Sequence, residues 1–487
     1  MLDRAAAALW FVLLAGPAPC GDLADDLRAR RAALLDALGP ETIFVHLSAP
    51  IRVYSLDVDY EYRQDSDMLY LTGIDQEGTM LVLLPGVPSR REVLFVHDPD
   101  ARREHREGHL LTPEEARAAS GIDDVKLLSE FPRFLGGLLN QRPYGEHAST
   151  YGGEYDALFD ALRGGSARVA LVFGRRPGLE DDLPPVYALA EKLRERLLGA
   201  ATVADATPVL WALRQVKTAR EQDVLRRSGE ISSAAHREGQ RATAPGRHEY
   251  EVEAAIEKVY LESGASGWSY PSIVGSGPNA TVLHYNRSSR RMEAGDLLLV
   301  DAAANYRGLT VDITRTWPVS GRFRPEQAEL WRLVLAAQEA GMKAAVPGNR
   351  TADIERAVET VIREGLLRLG LVTDRDSEQF RTWYTHGVCH WIGMDVHDVG
   401  DYRRPLEPGM AFVIEPGLYV REAALDQLPD TDEDRVFRDA VRPAVERYRD
   451  IGVRVEDSFL LTAAGLERLS ASVPRTVEEI EAFMAGR

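Results

Sequence analysis

Four carboxylates, Asp301, Asp312, Glu415 and Glu456, stand inside or at the ends of apolar, strand-like runs, and HGVCHWIGMDVHDVG (386–400) adds three histidines. An acid in an apolar strand needs a partner or a purpose, because burying an unpaired charge is costly. Four carboxylates with one imidazole balance two divalent cations. Ligands dominated by hard oxygen favour Mn²⁺, Mg²⁺ or Co²⁺, with Zn²⁺ as an alternative. Two such ions about 3.5–4 Å apart clamp a bridging water, lower its pKa and polarise a carbonyl. That chemistry is hydrolysis.

The histidines restrict the site further. On a helix, His386, His390 and His397 would fall within roughly 40° of one another. Gly387 and Gly393, with β-branched Val388, Ile392 and Val396, argue against that helix. In extended chain His386 and His390 are about 13 Å apart, too far for one ion. His397 points to the other face unless the chain turns at Gly393. At most one of the three is then a metal ligand, unless the chain folds back sharply. Cys389, between two of them, reads as a small apolar strand residue, with a thiol nucleophile as the alternative.

The segment DLLLVDAAANYRGLTVDITRTWPV (296–319) reads as a hairpin with its loop around Asn305–Tyr306–Arg307–Gly308. That register pairs Asp301 directly with Asp312 on one face, Cβ atoms about 4.5–5.5 Å apart. Two like charges there must share a proton or a cation, and the flanking residues favour the cation over an aspartyl dyad. Glu415 ends the strand AFVIE before Pro416–Gly417. In GVRVED, alternation puts Arg454 and Glu456 on one face, with a plain surface ion pair as the alternative.

The elements that must position these groups divide in two. Residues 22–205 alternate β-rich runs (TMLVLLPG, EVLFVHD, ARVALVFG) with helical stretches (PEEARAASG, YALAEKLRERLLG), the pattern of an α/β domain. Thr218–Ala219–Arg220–Glu221 is a capping box opening a long helix that stops at Pro245–Gly246, and a second helix runs from about Tyr250 to Leu261. The domain boundary is expected near 205–218.

Several function classes recede on composition. The chain has 487 residues, 45% hydrophobic and 28% charged, and a formal net charge of −18. That charge argues against nucleic acid as the main partner. The single long apolar run, AAAALWFVLLAG (5–16) after MLDR, suits a signal peptide over residues 1–20 and is too short for a membrane span. Pro19 argues against lipidation of Cys20. Export to the periplasm or medium is expected if the leader is real, and a cytoplasmic location otherwise. His105 and His109 are spaced like a zinc helix but lack the HExxH glutamate, so they read as a solvated loop. Gly275–Ser276–Gly277 lacks the spacing of a phosphate loop, and His248 reads as a surface or capping residue.

The order of motifs LHYN (283–286), VDAAANYRGLTVDITRTWPV (300–319), HGVCHWIGMDVHDVG, VIEPGLY (413–419) and GVRVEDSFLLT (452–462) closely resembles the aminopeptidase P branch of the pita-bread metallopeptidases. YRQDSDMLYLTG (62–73) resembles the N-terminal domain of that branch. The resemblance implies an α/β (α+β) chain: an N-terminal domain over 21–210 and a pita-bread catalytic domain over 211–487. It implies two divalent ions, manganese first, with cobalt or zinc as alternatives. Asp301 would bind one ion, His390 and Glu415 the other, and Asp312 and Glu456 both. His284, His386 and His397 would face substrate, with His397 on the scissile carbonyl oxygen. Glu415 would also move the proton of the bridging water, and Arg454 would lie near the proline-side pocket. The implied activity is release of the N-terminal residue from peptides with proline second, by a homo-oligomer (dimer or tetramer) without nucleic-acid or membrane partners. The alternatives are an Xaa-Pro dipeptidase, or a metal-free scaffold on the same fold. Two departures stand out: Ser288 replaces the family's usual asparagine, and the charged excursion between Tyr419 and Ile451 is longer than the common form. Shortening that excursion is expected to change substrate-length preference without loss of metal.

Overall fold

The computed structural model describes residues 23–142 and 153–486. The signal-peptide segment and Cys20 lie outside the described residues. Among these, no helix is long and apolar enough to cross a membrane.

The first half is built on a six-stranded mixed sheet in the order Asp124–Leu127, Glu92–Val96, Met80–Leu83, Thr42–Leu47, Ala167–Leu171, Ala201–Asp205. Successive side chains of a strand face opposite ways, so each central strand feeds two cores. Ile43, Val45, Val82, Val93 and Phe95 enter one. Phe44, Leu81, Leu83 and Leu94 enter the other, which they share with Val311, Ile313, Ile392, Val413 and Leu460 of the second half. The halves therefore meet through continuous apolar packing.

The second half follows the expected pita-bread plan. Helices Ala219–Ala242, Glu249–Glu262, Pro325–Ala344 and Thr351–Leu369 pack against short antiparallel sheets. The long helix opens with the expected capping box: Glu221 N–H donates to Thr218 Oγ1 (3.2 Å), and Thr218 N–H to Glu221 Oε2 (2.9 Å). His248 caps the next helix, where its backbone N–H donates to Glu251 Oε2 (2.7 Å).

Two expectations need correction. Residues 101–107 form a short helix rather than a loop, because Asp100 accepts from the N–H groups of Arg102 and Arg103 and Gly108 ends the turn. His105 and His109 are no zinc pair: only His105 is in the helix, and His109, beyond its end, lies within 2.7 Å of Glu115 and 3.2 Å of Glu104 on the surface. The hairpin register also differs: Asp301 stands opposite Thr314, not Asp312. The turn is two residues long, Tyr306 pairing with Leu309, with Arg307 (φ 53°) and Gly308 (φ 78°) both left-handed. That is the backbone of the tight turn that matches strand twist. Shifting the turn centre by one residue slides the pairing by two, so both aspartates keep the face they were expected to share.

His236, on the helix Ala219–Ala242, is buried beneath this hairpin with Nε2 2.9 Å from the Ala302 carbonyl oxygen. Burial lowers its pKa from 6.5 to about 4. Between those values the unfolded chain binds the extra proton, so stability rises with pH across the window and is lost as pH falls from about 6.5 to 4. The metal-free protein is expected to lose about 3 kcal/mol on this account. In urea unfolding at pH 4.5 and 7, His236→Gln should flatten that part of the dependence; an unchanged slope would mean that His236 does not supply it.

Candidate metal centre

Each acid reaches the site because its strand neighbours are anchored elsewhere. Val311 and Ile313 enter the shared core, so Asp312 between them points away from it. Asp301 ends the strand Leu297–Asp301, and Glu415 follows the end of Ala411–Ile414. GVRVEDSFLLT breaks into Ile451–Arg454 and Asp457–Thr462, and Glu456 sits at the break, bridged to Thr314. Thr314 Oγ1 donates to Glu456 Oε2 (2.7 Å).

The four acids converge with His390. Three overlapping sets place their ligand atoms within 4.8 Å of one another: Asp301–Asp312–Glu456, His390–Glu415–Glu456 and Asp312–His390–His397. Burial, and then Asp301, push the Asp312 carboxyl well above the usual range. Burial and the neighbouring acids do the same to Glu415 and Glu456. Glu456 Oε1 is buried without a hydrogen-bond partner.

His390 sharpens the case for a cation. Its Nδ1 lies 3.1 Å from the Trp391 carbonyl oxygen, an acceptor only, so Nδ1 carries the proton. Burial, and then His397, lower its pKa to about 3, so the ring is neutral. Nε2 thus turns a bare lone pair on Asp312 and Glu415 (both 3.5 Å) and Glu456 (3.9 Å). Acceptors facing acceptors at that spacing fit divalent ions among them.

The histidine segment is irregular rather than a strand, and His386 and His390 both reach Glu415, on its two oxygens (3.6 and 3.5 Å). His386 lies beside Glu415 (3.6 Å), and burial, then Arg454, lower its pKa to about 4. After Gly393 the chain reverses, Asp398 N–H donating to the Trp391 carbonyl (2.9 Å), which brings the His397 and His390 rings to 4.2 Å between centroids. Asp398, salt-bridged to Lys217 Nζ (2.7 Å) and Arg214 Nη2 (2.5 Å), closes that turn. His284 is exposed and lines the adjoining cleft with Tyr419. Cys389 packs against the core, and burial pushes its thiol up, which opposes a thiolate nucleophile.

Arg454 is buried and pairs with Asp301, not with Glu456 at a surface: Nη2 donates to Asp301 Oδ2 (2.5 Å), Nη1 to the Tyr419 hydroxyl (2.8 Å) and Nε to Thr314 Oγ1 (3.0 Å). Tyr419 in turn lies 2.8 Å from His386 Nε2. The sequence reading gave Tyr419 no role, although it lies in the quoted VIEPGLY. It missed Tyr270 altogether. The Tyr270 hydroxyl donates to Asp301 Oδ1 (2.5 Å) and also contacts Asp312 Oδ1. Burial and the two aspartates push its pKa well up, so it stays a donor. No spacing rule marks a tyrosine that far from its partners in the chain.

Residues 223–463 match the model of metallopeptidase family M24, and residues 27–145 match the aminopeptidase P N-terminal domain. The chain is 35% identical over 473 residues to the Xaa-Pro aminopeptidase of Escherichia coli, covering 94% of this chain and 97% of the relative. It is also 35% identical over 461 residues to the human Xaa-Pro dipeptidase, covering 89% and 86%. The structure of E. coli aminopeptidase P with the inhibitor Pro-Leu superposes with a TM-score of 0.80 at 33% identity, covering 96% of this chain and 99% of that one.

Proposed function

Because the chain belongs to metallopeptidase family M24 and carries the aminopeptidase P N-terminal domain, we propose that it is a hydrolase releasing the N-terminal residue from peptides with proline second. The observation that carries the hydrolytic reading is the buried cluster of acceptors around the bare His390 Nε2. Favouring an aminopeptidase over a dipeptidase is a cleft of ≈ 710 Å³ lined by His284 and by Tyr419, which is hydrogen-bonded to His386 and Arg454 beside the metal centre.

The residues fit two divalent ions, with manganese the first choice for this oxygen-rich set. Bound there, such ions supply an activated water and a polarised carbonyl. Asp301 is proposed to hold one ion, His390 and Glu415 the other, with Asp312 and Glu456 shared. Arg454 offsets the charge of Asp301 and fixes Tyr419 beside His386, so the proline-side wall and the ligand shell are one hydrogen-bonded unit. Glu415 would take the water's proton and pass it toward the leaving amine. His397 donates to the carbonyl oxygen as charge develops there, and His284 and His386 orient substrate.

Mass spectrometry of products from an Xaa-Pro dipeptide and an Xaa-Pro-Ala tripeptide, with Mn²⁺ and with chelator, tests the activity. Metal-dependent release of Xaa from the tripeptide, with slow dipeptide cleavage, is expected. Cleavage of the dipeptide alone would make the protein a dipeptidase, and inertness on both would refute the reading.

The same proposal takes 21–210 and 211–487 as the two domains, with export directed by the leader. It also holds that the protein is a homo-oligomer. A small hairpin, Val53–Ser55 with Val58–Asp59, presents Val53, Tyr54, Val58 and Tyr60 to solvent, with Leu56 94% exposed at its tip. Such a patch favours burial against another copy. Light scattering is expected to show a dimer or tetramer, and Leu56→Glu with Tyr54→Glu to shift it toward monomer.

A further inference from the structure

We infer that Arg421 forms a subsite for the C-terminal carboxylate of short peptide substrates, an inference that rests on the aminopeptidase reading above. Arg421 is half-buried and lines the ≈ 710 Å³ cleft together with His284, Tyr419, Arg381 and Gln427. The two arginines there differ. Arg381 is neutralised, its guanidinium lying 2.8 Å from Glu378 and 3.3 Å from Glu359. Among the described residues, the guanidinium of Arg421 has no ion-pair or hydrogen-bond partner. An unpaired cation at the wall of a cleft, in a chain of net charge −18, is a site for an anion that arrives with the substrate.

Placement selects the anion. Tyr419 lies on the strand Gly417–Val420 and is hydrogen-bonded to Arg454 and His386, so it marks the rim of the metal centre. Arg421 follows two residues on, just past the end of that strand and on the wall of the cleft that Tyr419 also lines. A tripeptide whose first peptide bond lies at the metals extends about 7 Å further before its carboxylate, which carries that group past the metal centre toward the cleft that Arg421 lines. The arginine fork matches a carboxylate with two parallel hydrogen bonds. The excursion holds the group in place: Ala424 N–H donates to the Arg421 carbonyl (3.1 Å), opening the turn whose residues Ala424, Gln427 and Leu428 complete the wall.

The test uses metal-loaded enzyme and Xaa-Pro-Ala as the free acid and as the C-terminal amide. The natural enzyme is expected to favour the acid by about tenfold in kcat/KM, the scale of one charge-assisted hydrogen bond. Arg421→Gln should bring the acid-to-amide ratio close to one, and Arg421→Lys should leave it between. A ten-residue peptide, whose carboxylate lies beyond reach, should show no effect of amidation. Cleavage of both tripeptides at equal rates by the natural enzyme, or a ratio that survives Arg421→Gln, would overturn the subsite alone. Failure to cleave either tripeptide would overturn the underlying aminopeptidase reading, and the subsite with it.

Discussion

Replacing Asp312 with Asn is expected to strip the metal centre and lower kcat/KM on an Xaa-Pro tripeptide by on the order of 10⁴ or more. It should also stabilise the metal-free protein. Both effects come from the same electrostatics. Without cations, burial and Asp301 push the Asp312 carboxyl well above its ordinary range, so the folded state holds a proton the unfolded chain has released. The stability contributed by that proton is full below the unfolded pKa and is lost as pH rises through the raised folded value. At pH 8 the metal-free natural protein carries that penalty, and Asn removes it while keeping the side-chain shape. Adding Mn²⁺ at one hundred times its dissociation constant should stabilise the natural protein by about 2.7 kcal/mol per site and the variant by much less. Thermal denaturation at pH 8 with chelator and with Mn²⁺ should therefore show the two proteins changing order. If the variant kept its metal by mass spectrometry and its activity, Asp312 would not be a ligand.

Much of this centre was legible in the sequence, because buried charge is conspicuous against apolar strands. Asp301, Asp312, Glu415 and Glu456 stand out on that ground alone, and the structure brings all four to one place with His390. What was not legible depends on backbone angles and on distant contacts. The hairpin register turned on whether Arg307 would accept a left-handed conformation, which the dipeptide Arg-Gly signals more weakly than Asn-Gly. The error did no harm to the site because a slide of two residues preserves the face. Ser288 offers a similar lesson: its φ of 45° is a conformation asparagine adopts more readily, which gives a backbone reason for the family's usual residue there. The break at Val455–Glu456 was hidden because the alternation of GVRVED runs straight through it. Tyr270 could not be found at all, since its partners lie 31 and 42 positions away.

His390→Ala and His397→Ala should separate cleanly, and this pair decides how the histidine segment works. Their rings lie 4.2 Å apart, and geometry alone admits both into one ligand set with Asp312. The surroundings of the two differ. His390 takes part in two of the three sets and aims a bare Nε2 at three carboxylates, whereas His397 takes part in one and is exposed. Burial, then His284, lower the His397 pKa, so at neutral pH its ring is uncharged and keeps one N–H to donate. A donor beside the metals, on a turn closed by the Asp398 salt bridges, suits the developing oxyanion of a cleaved amide. His390→Ala is accordingly expected to lose metal, and activity with it. His397→Ala should keep two metals per chain and lower kcat by roughly 10²–10³, the usual loss for one oxyanion donor. Metal content by mass spectrometry beside single-turnover kinetics tells the two apart. If His397→Ala lost metal as completely as His390→Ala, the ion would sit in the Asp312–His390–His397 set, and the carbonyl oxygen would need another donor.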